Sequence, residues 1–397
     1  MSAPRVPPRA GKSRPLRLVF SGMIAADPCH GGATWAVLQY VLGLKRLGHE
    51  VFLVEPIRQS SLRPPGGSLA ASKNAAYFRR VTREFGIEKS SALLVEGSTR
   101  TIGVEYPEVL RFARRADLLI NVSGMLADAA LLEAIPRRVY LDLDPAFIQV
   151  WQHTYGIDMR FAAHTHFVTI GQGIGTPACP VPTCGLQWMK TAQPILLDEW
   201  PRVEPRDSAA FTTIGNWRGY GSVEYEGRHY GQKAHSLRQF ITLPRLTSER
   251  LAPALSIHAD EKTDLAALAE NGWTLQDPAR VAASPAGFRR FIQESKAEFG
   301  IAKSGYAASQ CGWFSDRSGC YLASGRPVIA QRTGFEEFLP VGRGLFAFGT
   351  MDEILGAIDQ IRRDYPAHAR AARAIAEEHL DSKKVLPRLL EQIGLDS

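Results

Sequence analysis

Residues 16–56 read as one strand–helix–strand unit, and this unit narrows the possible folds more than any other stretch of the chain. "LRLVFSG" (16–22) is a continuous apolar run closed by glycine, the pattern of a buried strand. "GGATWAVLQYVLGLKRLG" (31–48) follows, with Trp35, Leu38, Val41, Leu42 and Leu44 at helical spacing. Lys45 and Arg46 stand near its end, where cations suit the helix dipole. "HEVFLVEP" (49–56) is the second strand, and Pro56 is expected to stop it. Two buried strands joined by one helix lie parallel, with a right-handed crossover.

The pattern continues. "ADLLINVSG" (116–124), "RRVYLDLDP" (137–145) and "HFVTIGQG" (166–173) add strands that end in polar residues or glycine, so this half is expected to be α/β and doubly wound. Residues 174–210 are crowded with proline and aperiodic, the composition of a linker. A second strand series opens at "FTTIGNW" (211–217), passes a polar loop at 218–234, and resumes at 254–260, 299–305, 326–331 and 344–349. Amphipathic helices close the chain. At 397 residues the chain exceeds one ordinary core. The expected division is a disordered tail (1–15), a first domain (16–205), a second (206–380), and a terminal helix (381–397) placed to pack back on the first. Strands of such sheets end at a shared cleft, and ligands bind there.

Composition sets the class. Hydrophobic residues make up 45% and charged residues 22%, as in a globular protein. No apolar run reaches the roughly 18–20 residues that span a bilayer, and the Pro- and Arg-rich start has no secretory apolar core. The expected compartment is therefore the cytoplasm, and the five cysteines read as reduced thiols, with Cys179 and Cys184 off the usual zinc spacing. The net charge of +7 suits an anionic ligand or plain solubility. Basic residues are interspersed with acidic ones, which argues against a nucleic-acid-binding stripe.

"GGATWAVLQYVLGLKRLGHEVFLVEP" resembles the opening of the group 1 glycosyltransferases of the GT-B fold, and "CYLASGRPVIA" (320–330) is similar to that family's donor segment. The two lie in the expected halves and order. The resemblance implies two Rossmann-like, doubly wound domains facing a central cleft. It also implies a nucleoside diphosphate sugar as co-substrate, held mainly by the second domain, and a small-molecule or glycan acceptor held mainly by the first. It requires no metal and no other cofactor. One departure stands out. The family's two glutamates of the donor segment fall on Gly312 and Cys320 here, and the second of them is the one that contacts the ribose. A divergent branch, the CgeB-like glycosyltransferases, is similar in having an arginine three residues before the second glutamate position, and Arg317 matches it.

Candidate residues follow from strand ends and helix starts. Departure of a diphosphate needs cations or helix N-termini in a water-poor cleft. Ser315, Asp316, Arg317 and Ser318 fall at the start of a helix over 318–324 and can also be read as a plain cap. Lys303 ends a strand; Asn216, Trp217 and Arg218 end another, with Lys233 on the polar loop beyond. Thr333 and Gly334 follow the "PVIA" strand. Gly31 and Gly32 would let backbone N–H groups approach an anion at a helix start, although the full dinucleotide-binding glycine pattern is absent and Glu55 alone does not supply it. For a base, Asp142 and Asp144 are expected on one face of a strand end, with His30 a third candidate and His258 and Asp260 weaker neighbours. His164 and His166 alternate along a strand but lack a third metal ligand. Two other readings remain open: a GT-B sugar-nucleotide epimerase, and a nucleic-acid-binding or -modifying protein.

Overall fold

The structure, a computed structural model, describes residues 14–204 and 209–395. The tail expected over 1–15 lies outside these residues except for Arg14, which pairs with Asp117, and Pro15.

Eight strands form the first sheet: β1 (Arg17–Ser21), β2 (Glu50–Ile57), β3 (Ser91–Val95), β4 (Thr101–Gly103), β5 (Leu118–Val122), β6 (Arg138–Asp142), β7 (His166–Thr169) and β8 (Trp188–Lys190). Their spatial order is β4-β3-β2-β1-β5-β6-β7-β8, parallel throughout except for the antiparallel pair β3–β4. Leu18 faces Val51 on one side and Leu118 on the other. Both faces of the central strands are covered, which is why they read as unbroken apolar runs. The strand order turns at β1, which has β2 on one side and β5 on the other, and the crevice at such a switch point takes ligands. Two expectations change here. β2 does not stop at Pro56 but runs to Ile57, whose carbonyl accepts from the Glu96 N–H at 2.9 Å, since a proline removes only its own donor. The proline-rich stretch also contributes β8, which pairs with β7.

The second series is β9 (Phe211–Thr212), β10 (Ile214–Asn216), β11 (Val223–Tyr225), β12 (Arg228–Tyr230), β13 (Ala254–Ser256), β14 (Ala297–Gly300), β15 (Val328–Gln331) and β16 (Leu345–Phe348). The order is β16-β15-β14-β9, and after a break at Thr213 the same stretch pairs through β10 with β13. The expected polar loop contains an antiparallel hairpin, β11–β12. Val223 and Tyr230 bury that hairpin in a cluster with Phe147 and Tyr306.

The chain crosses between the sheets twice, and the crossings lie side by side. The Ile195 N–H donates to the Leu380 carbonyl at 2.7 Å, and the Ser382 N–H donates to the Ile195 carbonyl at 3.0 Å. Helix Ser382–Gln392 then lies on helix Gly31–Arg46, so closely that a Cβ on Gly43 would come within 2.5 Å of Leu386 Cδ1. On its other flank the same N-terminal helix meets helix Pro285–Glu294. There the Trp35 indole donates to the Pro285 carbonyl at 2.9 Å and packs on Trp200 with ring centroids 5.1 Å apart.

Candidate functional site

A cavity of about 1060 Å³ opens where the strand ends of the two sheets face each other. Of the expected residues, His30, Gly31, Gly32, Asp144, Asn216, Lys233, Lys303, Ser315, Asp316 and Arg317 line it.

Two cations meet on one wall. Lys233 opens helix Lys233–Leu237 and is buried, with its ammonium donating to the Ile301 carbonyl. Arg317 sits in the first turn of helix Asp316–Ala323, its Nε donating to Glu298 Oε1 at 2.6 Å and its Nη1 to the Ile214 carbonyl at 2.8 Å. A Cβ placed on Gly215 would lie 3.5 Å from Lys233 Nζ and 3.9 Å from Arg317 Nη1, so the two charges share that corner. Burial, then the neighbouring Arg317, pull the Lys233 ammonium well below its ordinary range. For Arg317, burial works against the charge, but Glu298 outweighs it and holds the guanidinium firmly protonated. Two cations pressed together in this way would be relieved by an anion. Beside them, burial raises the Asp316 carboxyl, against the pull of Arg317. Ser315 gives the helix no side-chain cap.

A cross-cavity cluster also lines the site. Asp144 Oδ1 accepts from Lys303 Nζ at 3.0 Å and from the Tyr306 hydroxyl, and Oδ2 accepts from the Tyr220 hydroxyl at 2.6 Å. Lys303 also lies 4.2 Å from the centre of the Tyr220 ring. Asp144 and Lys303 therefore reach the cavity, but as partners of each other rather than as a free base and a free donor cation. Burial pulls the Lys303 ammonium down, and Asp144 opposes that shift.

Several expectations are corrected. Asp142 and Asp144 do not share an exposed face, because β6 ends at Asp142 and the chain then turns through Ala146 at φ 74°. Asp142 is fully buried. Its oxygens accept from the Asp144 N–H at 2.9 Å, Gln149 Nε2 at 2.8 Å and Thr169 Oγ1 at 2.8 Å, so it shapes the turn that presents Asp144. Burial pushes its carboxyl up to about 6. The Trp217 indole points inward and donates to Asp264 at 2.7 Å. Arg218 pairs with Glu261 outside the cavity, and Ser318 is buried beneath the helix. Thr333 and Gly334 lie behind the wall. The Thr333 carbonyl accepts from the Gly312 N–H at 2.7 Å, and its hydroxyl donates to the Trp313 carbonyl at 2.5 Å.

The glycine pair plays a different part from the one expected. The Gly31 N–H donates to the Ala282 carbonyl at 2.8 Å, and a Cβ on Gly31 would meet the Ser284 carbonyl at 2.2 Å. A Cβ on Gly32 would meet the Phe288 ring at 2.8 Å. Close approach of the second sheet's helix, not an anion alone, explains why no side chain is present here. His258 and Asp260 form an exposed pair away from the cavity. The His164 ring bonds to Asn121 at 3.0 Å and to the Arg160 carbonyl at 2.8 Å. Among the described residues no group of three His, Cys, Asp or Glu side chains is placed to hold a metal ion.

Other residues that matter carried weaker signals. Glu298, a carboxylate inside an apolar strand, was one sign of a buried pair. Tyr220, in a loop, and Tyr306, in helix Ser304–Ser309, have no partner visible in the sequence. Glu55 accepts from the Ala25 and Ala26 N–H groups at 2.6 Å each and so fixes the segment leading to Pro28, Cys29 and His30 on the cavity wall. Burial pushes its carboxyl up to about 8. Cys320 is buried against Gln39, with Nε2 and Sγ 3.6 Å apart, and does not line the cavity.

No protein-family model matches the chain, and no curated protein matches it. Solved structures do. An alpha-glucosyltransferase in complex with UDP and a 13-mer DNA matches over 95% of this chain and 99% of its own, with a TM-score of 0.58 at 12% identity. HepE of Anabaena, solved with UDP and glucose, matches over 96% and 99%, with a TM-score of 0.58 at 12% identity. AviGT4, a glycosyltransferase involved in Avilamycin A biosynthesis, covers 96% and 97%, with a TM-score of 0.51 at 16% identity. The chain has the GT-B fold. In a GT-B chain the two sheets turn their strand ends towards one cleft, and the cavity described above occupies that place.

Proposed function

We propose that the chain is a glycosyltransferase that moves a hexose from a nucleoside diphosphate sugar, of the uridine type, to an acceptor held in the cavity. The observation that carries this reading is the convergence of Lys233 and Arg317 on one corner of a GT-B cleft. The alpha-glucosyltransferase and HepE, which share the fold, were both solved with UDP.

In this reaction the bond from the anomeric carbon to the diphosphate breaks, the acceptor oxygen bonds that carbon, and negative charge gathers on the leaving diphosphate. Lys233 and Arg317 stabilise that charge in a water-poor corner, and the uncapped first turn of helix Asp316–Ala323 adds its N–H groups. The positive charge comes from the chain itself, so the proposed reaction requires no metal. Of the three base candidates, His30 is the one left to accept the acceptor's proton, its Nδ1 3.3 Å from Asp27 Oδ2. Arg317, three residues before Cys320, supports a place in the CgeB-like branch. The proposed acceptor is a small molecule or glycan, because basic residues are interspersed with acidic ones along the sequence rather than gathered in a stripe. An epimerase would need a set of free carboxylates around the sugar, and of the expected carboxylates that reach the cavity Asp144 is taken by three donors, which leaves Asp316. No helix among the described residues is long and apolar enough to cross a membrane, and we place the protein in the cytoplasm.

A thermal-shift series with UDP, GDP, ADP and UDP-glucose tests the reading. Saturating ligand should raise the melting midpoint by an amount set by its affinity. UDP and UDP-glucose are expected to give the largest rise. A panel in which no nucleotide shifts the midpoint would remove the donor site.

A further inference from the structure

A second cavity, of about 250 Å³, lies behind the wall of the first. The segment from Gly312 to Ser315 separates them: Trp313 and Ser315 face the main cavity, whereas Gly312 and Phe314 face the smaller one. It sits against both chain crossings, between residues 190–193 on one side and the 379–392 stretch on the other. Its walls are apolar and aromatic, formed by Phe314, Phe335, Phe338, Leu380, Val385 and Leu389. Phe338 stands 45% exposed there, unusual for so large an apolar side chain. The charged lining is of one sign. Lys190 and Arg388 border the cavity with His379, and among the described residues no Asp or Glu does. Lys190 Nζ gives hydrogen bonds to the Gln172 and Ile174 carbonyls, which fixes it at the rim.

We propose that this cavity is a second ligand site, for a small amphipathic anion with an aliphatic or aromatic body and one carboxylate or phosphate. An apolar pocket with a few convergent polar groups is the usual form of a small-molecule site, and this one is just below the roughly 300–1,000 Å³ common for drug-sized ligands. The apolar body removes the Phe338 ring and its neighbours from water. The anionic head meets Arg388 and Lys190 as an ion pair with both partners charged, whereas a neutral head would only accept a hydrogen bond from a cation and gain no charge–charge attraction. The site shares Gln193 with the main cavity but is otherwise separate, so it does not depend on the glycosyl-transfer reading.

Calorimetry on the full chain with decanoate, and with decanol as its neutral counterpart, tests the assignment. Decanoate should bind one per chain and about tenfold more tightly than decanol, the loss expected for one charge–charge contact. Phe338→Asp and Arg388→Glu, both at exposed positions that the fold tolerates, should each weaken decanoate by about tenfold or more while leaving the melting midpoint of the free protein in place. Equal affinity for decanoate and decanol, no binding by the wild-type chain, or undiminished binding by Phe338→Asp would each overturn the site. A chain that binds decanoate here but no nucleotide would lose the transferase reading and keep this one.

Discussion

Lys303 Nζ lies 3.0 Å from Asp144 Oδ1, a contact between residues 159 positions apart that ties the loops of one sheet to those of the other across the cavity. Both side chains are about three-quarters buried, and two tyrosine hydroxyls complete the shell around the carboxylate. Removing one member leaves the other poorly solvated. Lys303→Met and Asp144→Asn should each cost about 1–3 kcal/mol of stability. The double variant should cost less than their sum. Urea titrations of the four proteins measure this, and strict additivity would mean that the contact does not couple the sheets.

Arg317 and Glu298 form the more deeply buried pair, with Glu298 fully enclosed. Arg317→Ala should abolish transfer, but it should also destabilise the fold by about 3–5 kcal/mol, since it strands a buried carboxylate. Pairing it with Glu298→Gln separates the two effects. The double variant should recover most of the lost stability while UDP binding stays lost. Recovery of nucleotide binding in that variant would take Arg317 out of the donor site.

Gly31 tests whether the cleft tolerates any widening. A Cβ there meets the Ser284 carbonyl at 2.2 Å, a clash with backbone that no rotamer relieves. Gly31→Ala should destabilise the protein by about 1–3 kcal/mol, whereas Gly48→Ala, where a Cβ meets nothing but φ is 94°, tests backbone strain alone. Donor affinity should drop in Gly31→Ala and hold in Gly48→Ala. Equal donor affinities would mean that the Gly31 contact does not shape the cavity.

Glu55 gives the pH prediction. Burial holds its proton up to about 8 in the folded chain, against an ordinary carboxyl value of 4.5. The folded state therefore binds more protons between those values, and the stability present at the acid end is lost as pH rises through the folded value. Glu55→Gln keeps an acceptor for the Ala25 and Ala26 N–H groups and removes the titration. Melting midpoints of wild type and variant should diverge from about pH 5 to about pH 8, with the wild type falling behind. A constant gap over that range would rule Glu55 out as the cause.

Much of the architecture is legible in local pattern. Strand–helix alternation, the glycine-closed apolar runs and the Gly-x-Pro-Val corner at 325–328 all belong to short stretches, and short stretches set secondary structure. Lys233, Arg317 and Asp316 are legible as residues of the cavity wall for the same reason, each standing at a helix start or on a loop beyond a strand end. What stayed hidden depends on distant partners. Nothing near Gly31 indicates that Ala282 and Ser284 press against it, and nothing near Lys303 indicates that Asp144 neutralises it. Asp142 and Asp144 look alike in "YLDLDP", yet one turn of chain buries the first and brings the second to the cavity wall. Alternation along a strand holds only while the strand lasts.

Leu386, Leu389 and Leu390 of the final helix share one core with Leu38 and Leu42 of the first helix. Part of the cover over the N-terminal sheet is thus supplied by helix Ser382–Gln392, which follows the whole second sheet in the chain. During translation the first helix emerges with a stripe of leucines and Gly43 uncovered, and that stripe waits until the second sheet has been made before its cover arrives. A fragment containing the first sheet alone would carry the same uncovered face, with no residue of its own to close it.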